Sequence, residues 1–280
     1  MGIGEVRVLE TAVTRATAKS GATRRVRAIA INTFRESVRD RVLYNLILFV
    51  LVLVTASIFV SDLSLDMESQ FTAALGLSAM LMFGAVIAIF IGVGLVYKEI
   101  DKRTIYGLLS KPVHRHEFII GKYVGLCLTL LVNSLVMVLA TELAILYVNR
   151  KFVLLHTAVL AASCLVYLEL ALLVAVALMF SSFSTPMLSA LFSFAVYVIG
   201  HFSKDLLEMA ALSNSATTRA LLTALYYVLP NLSNFGFITE ASHGRVVPLN
   251  TAVAATAYAI VYIGILLSAA MLIFQKRNFK

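Results

Sequence analysis

Residues 71–97 read FTAALGLSAMLMFGAVIAIFIGVGLVY, a run of 27 residues from Phe71 to Tyr97 without a charged side chain. An α-helix rises about 1.5 Å per residue and a bilayer's hydrocarbon core is about 30 Å thick, so roughly 20 apolar residues suffice to cross it. This run is long enough with turns to spare. Further apolar runs cover residues 42–60, 123–148, 153–180, 186–202 and 249–274. The run 186–202 falls a residue short of the ~18-residue criterion unless Ser184 and Thr185 join it. Over the 280 residues, 60% are hydrophobic and 14% charged, and the mean hydropathy is +0.92. Soluble domains carry about 25% charged residues, so this chain cannot cover a globule with water-compatible surface. The expected fold class is therefore an all-α integral membrane protein with six transmembrane helices. Cys127 and Cys164 sit inside apolar runs, far from any CxxC spacing, which gives no support to a disulfide framework or a thiolate metal site.

A seventh candidate, residues 220–238, is interrupted by Pro230-Asn231 and Asn234, with Gly236 at its end. Charge decides between six spans and seven. With six, one side receives the N-terminal segment, the loop 98–122, the turn 181–185 and the tail, together 18 Lys and Arg; the other receives 5. Lys/Arg excess marks the cytoplasmic side. Both termini are therefore expected inside, with residues 61–70, 149–152 and 203–249 outside, and 220–238 is expected as two half-helices dipping into the outer leaflet. Such irregular backbone is tolerated at membrane depth only against protein or a cavity. The same distribution disposes of a nucleic-acid reading of the +8 net charge, because the basic residues lie before or between the apolar runs.

Residues 1–23 are polar, Ala/Thr-rich and expected to be flexible, and the first forty residues hold no apolar stretch fit for a signal peptide. Over 24–41 the pattern changes. Val26, Ile29, Ala30, Phe34 and Val38 recur at helical spacing, while Arg24, Arg25, Arg27, Arg35, Arg39 and Arg41 take other faces. That spacing predicts an amphipathic helix suited to the headgroup plane. The loop 98–122, KEIDKRTIYGLLSKPVHRHEFIIGK, holds nine charged residues and two histidines, divided by Gly107 and Pro112. A solvated basic loop would serve the orientation rule, but the interleaved Ile100, Ile105, Tyr106, Leu108, Leu109, Phe118 and Ile119 are costly to leave in water and point to a docking surface.

Glu99, Arg103-Thr104, the run Leu108-Leu109-Ser110-Lys111-Pro112-Val113, Arg115, Phe118 and Gly121-Lys122 resemble the loop between the second and third spans of type-2 ATP-binding-cassette permeases, the type V exporter fold. Phe34-Arg35-Glu36 and Arg39-Asp40-Arg41 resemble that family's interfacial connecting helix, and Pro230-Asn231 its outer re-entrant segment. In length and layout the chain is similar to the permeases associated with multicopper-enzyme maturation. The resemblance implies a six-span permease domain over 24–280, with a connecting helix (24–41), a cytoplasmic coupling loop (98–122) and an outer re-entrant region (203–248). It further implies a homodimer in the cell inner membrane, among membrane lipid, each subunit engaging a cytoplasmic ATPase through Glu36, Arg39, Glu99, Arg103, Thr104, Leu109, Pro112 and Arg115. ATP and Mg would sit on that partner, with no cofactor on this chain. The sequence agrees by omission: Gly121-Lys122 is followed by Tyr123, lacks the upstream glycine of a phosphate loop and opens an apolar span.

The function implied is the permease subunit of an exporter for an amphiphilic or lipid-linked substrate. The alternative is a non-transporting subunit that passes ATPase motion to an extracytoplasmic partner such as a metalloenzyme maturation factor. An intramembrane enzyme is disfavoured, since no nucleophile–base pair is visible and His114-Arg-His116-Glu117 is not HExxH. Two carboxylates remain inside spans, where they are costly. Glu169, near mid-membrane, could line a transport path or bond a Ser, Thr or Tyr on a neighbouring helix; Glu142, nearer the outer end, is expected to snorkel. The methionines read as packing filler. Gly121-xxx-Gly125 offers close helix contact at the start of the third span.

Overall fold

The computed structural model describes residues 21–38, 48–53, 55, 68–101, 115–149, 154–213 and 215–276, and among these it contains helices and no strand. The helices are α1 (21–38), α2 (48–53), α3 (Glu68–Asp101), α4 (Arg115–Asn149), α5 (Leu154–Ser181), α6 (Pro186–His201), α7 (Ser203–Leu212), α8 (Ala216–Val228), α9 (Ile238–Ser242) and α10 (Leu249–Lys276), with a 3₁₀ turn at Leu232–Phe235. Four of the expected spans are continuous helices. Most of the run 42–60 lies outside the described residues, as do residues 1–20. The segment expected as a helix from Arg24 is already helical at Gly21, three residues before the expected boundary.

α5 is the hub. It packs against α3, α4, α6, α9 and α10, and every residue from Glu169 to Leu178 is buried. In lipid no hydrophobic drive separates one apolar helix from another, so small residues and close packing must hold the bundle. The contacts follow that rule: Ala85, Ala88 and Ala177 lie in one core cluster, Ala175, Ala255 and Ala259 in a second. Hydroxyls inside the spans are quiet. Thr129, Thr141, Ser163, Ser193 and Thr256 each donate to the carbonyl four residues back, a local bond that needs no partner helix.

The run 186–202 forms a helix that Pro186 starts, its fixed φ suiting the first helical position and its missing N–H costing nothing there. At 16 residues it extends only about 24 Å. It bends by 66° at Phe202 into α7, at the residue where the apolar run ends. The second break is explained locally. Pro230 forces its predecessor out of helical space, and Leu229 is extended at φ −92°, ψ 150°. The backbone groups freed there are claimed by α10: the Asn231 N–H donates to the Tyr258 hydroxyl at 2.8 Å and the Tyr262 hydroxyl donates to the Val228 carbonyl at 2.7 Å.

The two ends of the bundle are distinct. At one, Phe118 of α4 stacks on Phe274 of α10, and Ser181 at the end of α5 bonds the Val93 carbonyl of α3. At the other, Ala241 of α9 packs with Ala73, Ile145, Leu155 and Ala158. α6 therefore leaves the first end and α10 starts back from the second, while the bent pair of Ala216–Val228 with Leu232–Ser242, angled by 50°, stays with the second end. A pair bent in this way suits a broken span or the re-entrant loop expected for 220–238.

Candidate functional site

α1 follows α4 side by side. Arg25, Ile29 and Thr33 meet Glu117, Gly121 and Gly125 at one constant offset of 92 residues, which is how two parallel helices in contact along one stripe pair their i, i+4 positions. The two glycines make the approach possible. A Cβ at Gly121 would stand 2.8 Å from Ile29 and one at Gly125 2.6 Å from the Ala30 carbonyl oxygen. α1 is thus docked lengthwise on the first turns of α4, more intimately than a helix merely resting in the headgroup plane.

The Arg25 guanidinium locks that register. Its Nε donates to Glu117 Oε2 at 2.8 Å and its Nη2 to Oε1 at 2.7 Å, a bidentate pair with Glu117 buried. The hydrogen bonds it donates to the Glu117 carboxylate raise the Arg25 pKa above its ordinary value. Neither residue stood among the coupling candidates, because a pair 92 positions apart leaves no local signature; only the glycine spacing announced the contact.

Of the expected coupling residues, Glu36 is half-buried on α1. The backbones of Glu99, near the end of α3, and of Arg115, the first residue of α4, are helical. Arg39, Arg103, Thr104, Leu109 and Pro112 lie outside the described residues. Lys122 turns inward: it is 1% exposed, sits 4.9 Å from the Phe118 ring centroid and lies among Leu178, Ser182, Ala270 and Phe274. It is a buried cation inside the bundle, not part of a solvated loop.

The intramembrane carboxylates are both near histidines. Glu142 of α4 pairs with His156 Nδ1 of α5, which corrects the snorkelling expectation: the carboxylate has a partner within the protein. Glu169 Oε1 lies 3.4 Å from His201 Nε2 at the last residue of α6, and makes no hydrogen bond. The neighbour is a histidine, not the expected Ser, Thr or Tyr. One residue earlier, Gly200 seats the turn whose Pro230 carbonyl oxygen would stand 2.8 Å from a Cβ there. Pro230, Asn231 and Glu169 are thus gathered around the end of α6.

The family described as ABC-2 family transporter protein matches residues 27–279, a span running from α1 through α10. The chain belongs to the ABC-2 transporter family. It is a multi-pass membrane protein and a permease subunit of an ABC transporter. Comparison with curated proteins finds no match. ABC-2 permeases work with a cytoplasmic ABC ATPase. In this ABC-2 permease the end of the bundle that carries α1 also carries the end of α3, the start of α4, the α5–α6 turn and the end of α10.

Proposed function

We propose that this chain is the membrane subunit of an exporter, working as a homodimer in the inner membrane with both termini cytoplasmic, and moving an amphiphilic or lipid-linked substrate with ATP hydrolysed on the partner. The ATPase stroke enters through the loop 98–122 and α1, at Glu36, Arg39, Glu99, Arg103, Thr104, Leu109, Pro112 and Arg115. The observation that carries this reading is the Arg25–Glu117 clasp over the glycine stripe. It makes α1 and the first turns of α4 one rigid lever, and a push on either reaches α5 through the α4–α5 contact. Glu169 and the Pro230-Asn231 turn, at the end of α6, sit where the outer part of such a path would open.

The test is a charge swap in proteoliposomes holding the permease and its ATPase subunit. Glu117→Arg alone should leave both subunits assembled while ATP hydrolysis no longer rises with the permease present. Arg25→Glu with Glu117→Arg should restore stimulation. Wild-type stimulation in the single variant would remove the clasp from the coupling route.

A further inference from the structure

Beside the stripe that meets Gly121 and Gly125, α1 and α4 enclose an open groove of ≈ 510 Å³. Its walls are Val26, Ala30 and Ile31 on α1 and Ile120, Val124 and Leu128 on α4; Arg27 and His116 lie toward one end. Glu117 also borders it, but both its oxygens accept from Arg25. No carboxylate among the described residues pairs with Arg27, so the uncompensated charge facing the groove is that guanidinium.

The constant register makes this groove run along α4 instead of crossing it. From His116 to Leu128 it follows about 18 Å of helix, comparable with one leaflet of a hydrocarbon core roughly 30 Å thick. Its cationic end lies at the start of a spanning helix and its apolar end points along that helix into the bilayer. A matching occupant is apolar over one leaflet's depth, anionic at one end and aligned with the span. A guanidinium presents a fork of donors that fits phosphate oxygens.

We propose that the α1–α4 groove is a binding site for an anionic phospholipid, its phosphate on Arg27 and an acyl chain along Val26, Ala30, Ile120, Val124 and Leu128. No residue of α5 lines the site, and the proposal is independent of the exporter reading. Its occupant is a resident lipid that fills the open side of α1.

The chain contains no tryptophan, so Val124→Trp creates a single fluorophore in the groove. The full chain is reconstituted in phosphatidylcholine nanodiscs containing a minor fraction of acyl-brominated phosphatidylglycerol or, in parallel, the same fraction of brominated phosphatidylcholine. Quenching by the anionic lipid should exceed that by the zwitterionic one about fivefold in apparent affinity, the preference expected from one Arg near an anionic headgroup. Arg27→Gln should abolish the preference, and Arg24→Gln, which changes an exposed charge outside the groove, should keep it. Leu128→Trp gives the same readout should the first reporter disturb packing. Equal quenching by the two lipids would reduce the groove to ordinary bilayer boundary and overturn the proposal. Quenching by neither, with a lipid-facing Val261→Trp control quenched by both, would show the groove covered by protein, either a second copy or another part of this chain, and would also overturn it.

Discussion

Glu169 of α5 and His201 of α6 face each other at 3.4 Å, Oε1 to Nε2, with the carboxylate 1% exposed. The other ring nitrogen, Nδ1, lies 3.3 Å from the Tyr197 carbonyl oxygen. A carbonyl only accepts, which assigns a hydrogen to Nδ1. Nε2 is then bare unless the ring carries a second proton. A bare carboxylate against a bare nitrogen places two acceptors together in a buried site, and Glu169 Oε1 makes no hydrogen bond, so a donor at position 169 would suit His201 Nε2 better. Glu169→Gln supplies one and should leave stability unchanged or higher. Glu169→Leu leaves Nε2 without a polar neighbour on α5 and should cost about 1–3 kcal/mol, the range for a buried polar group left unpaired. Thermal unfolding of the purified protein in detergent separates them; equal losses would mean that His201 needs no polar group opposite it.

What could be read from the sequence divides along physical lines. α3, α4, α5 and α10 were legible because an uninterrupted apolar run of more than 20 residues has few alternatives to a spanning helix. The break at Pro230 was legible because a proline acts on its own neighbour. The end of α6 at Phe202 was legible too, because the apolar run stops there ahead of Lys204 and Asp205; that the chain continues as a helix bent by 66° was not, because the neighbours of Gly200, Pro230 and Leu232, are some thirty residues away in sequence. Side-chain pairing was the least visible layer. Glu142 considered alone appears to need water, and only the structure shows that His156 stands beside it. Arg25 is one of several arginines on an amphipathic segment, and its partner Glu117 closes the tetrapeptide His114-Arg-His116-Glu117, which carries no metal motif.

The glycine stripe makes a quantitative prediction. At Gly125 a Cβ would meet the Ala30 carbonyl oxygen at 2.6 Å and Thr33 at 2.7 Å, and backbone cannot yield as a flexible side chain can. Gly125→Val should therefore weaken α1 docking by about 1–3 kcal/mol, the usual penalty for overpacking. Tryptic cleavage after the exposed Arg27 and Arg35 follows the undocked population and should accelerate roughly ten- to hundred-fold. Gly264→Ala is the control: nothing lies within 4 Å of its added Cβ, and Ala is the better helix former. Cleavage unchanged in Gly125→Val would show that α1 is held by Arg25 and Glu117 alone.

Sidedness gives the last prediction. The end of the bundle holding α1, the α5–α6 turn and Phe274 is the end to which the six-span reading assigns 18 Lys and Arg against 5, and basic excess marks the cytoplasm. Lys204 on α7 and Arg24 on α1 are both exposed and belong to opposite ends. In a variant with Cys127→Ala and Cys164→Ala, a cysteine at position 204 should react with a membrane-impermeant maleimide on intact cells. A cysteine at position 24 should react only after the membrane is opened. The contrast matters because 216–242, had it crossed, would bring α10 back from the wrong side and part Phe274 from Phe118. Labelling of position 24 from outside would reverse the orientation, and labelling of both positions would remove the separation of the two ends on which the six-span arrangement depends.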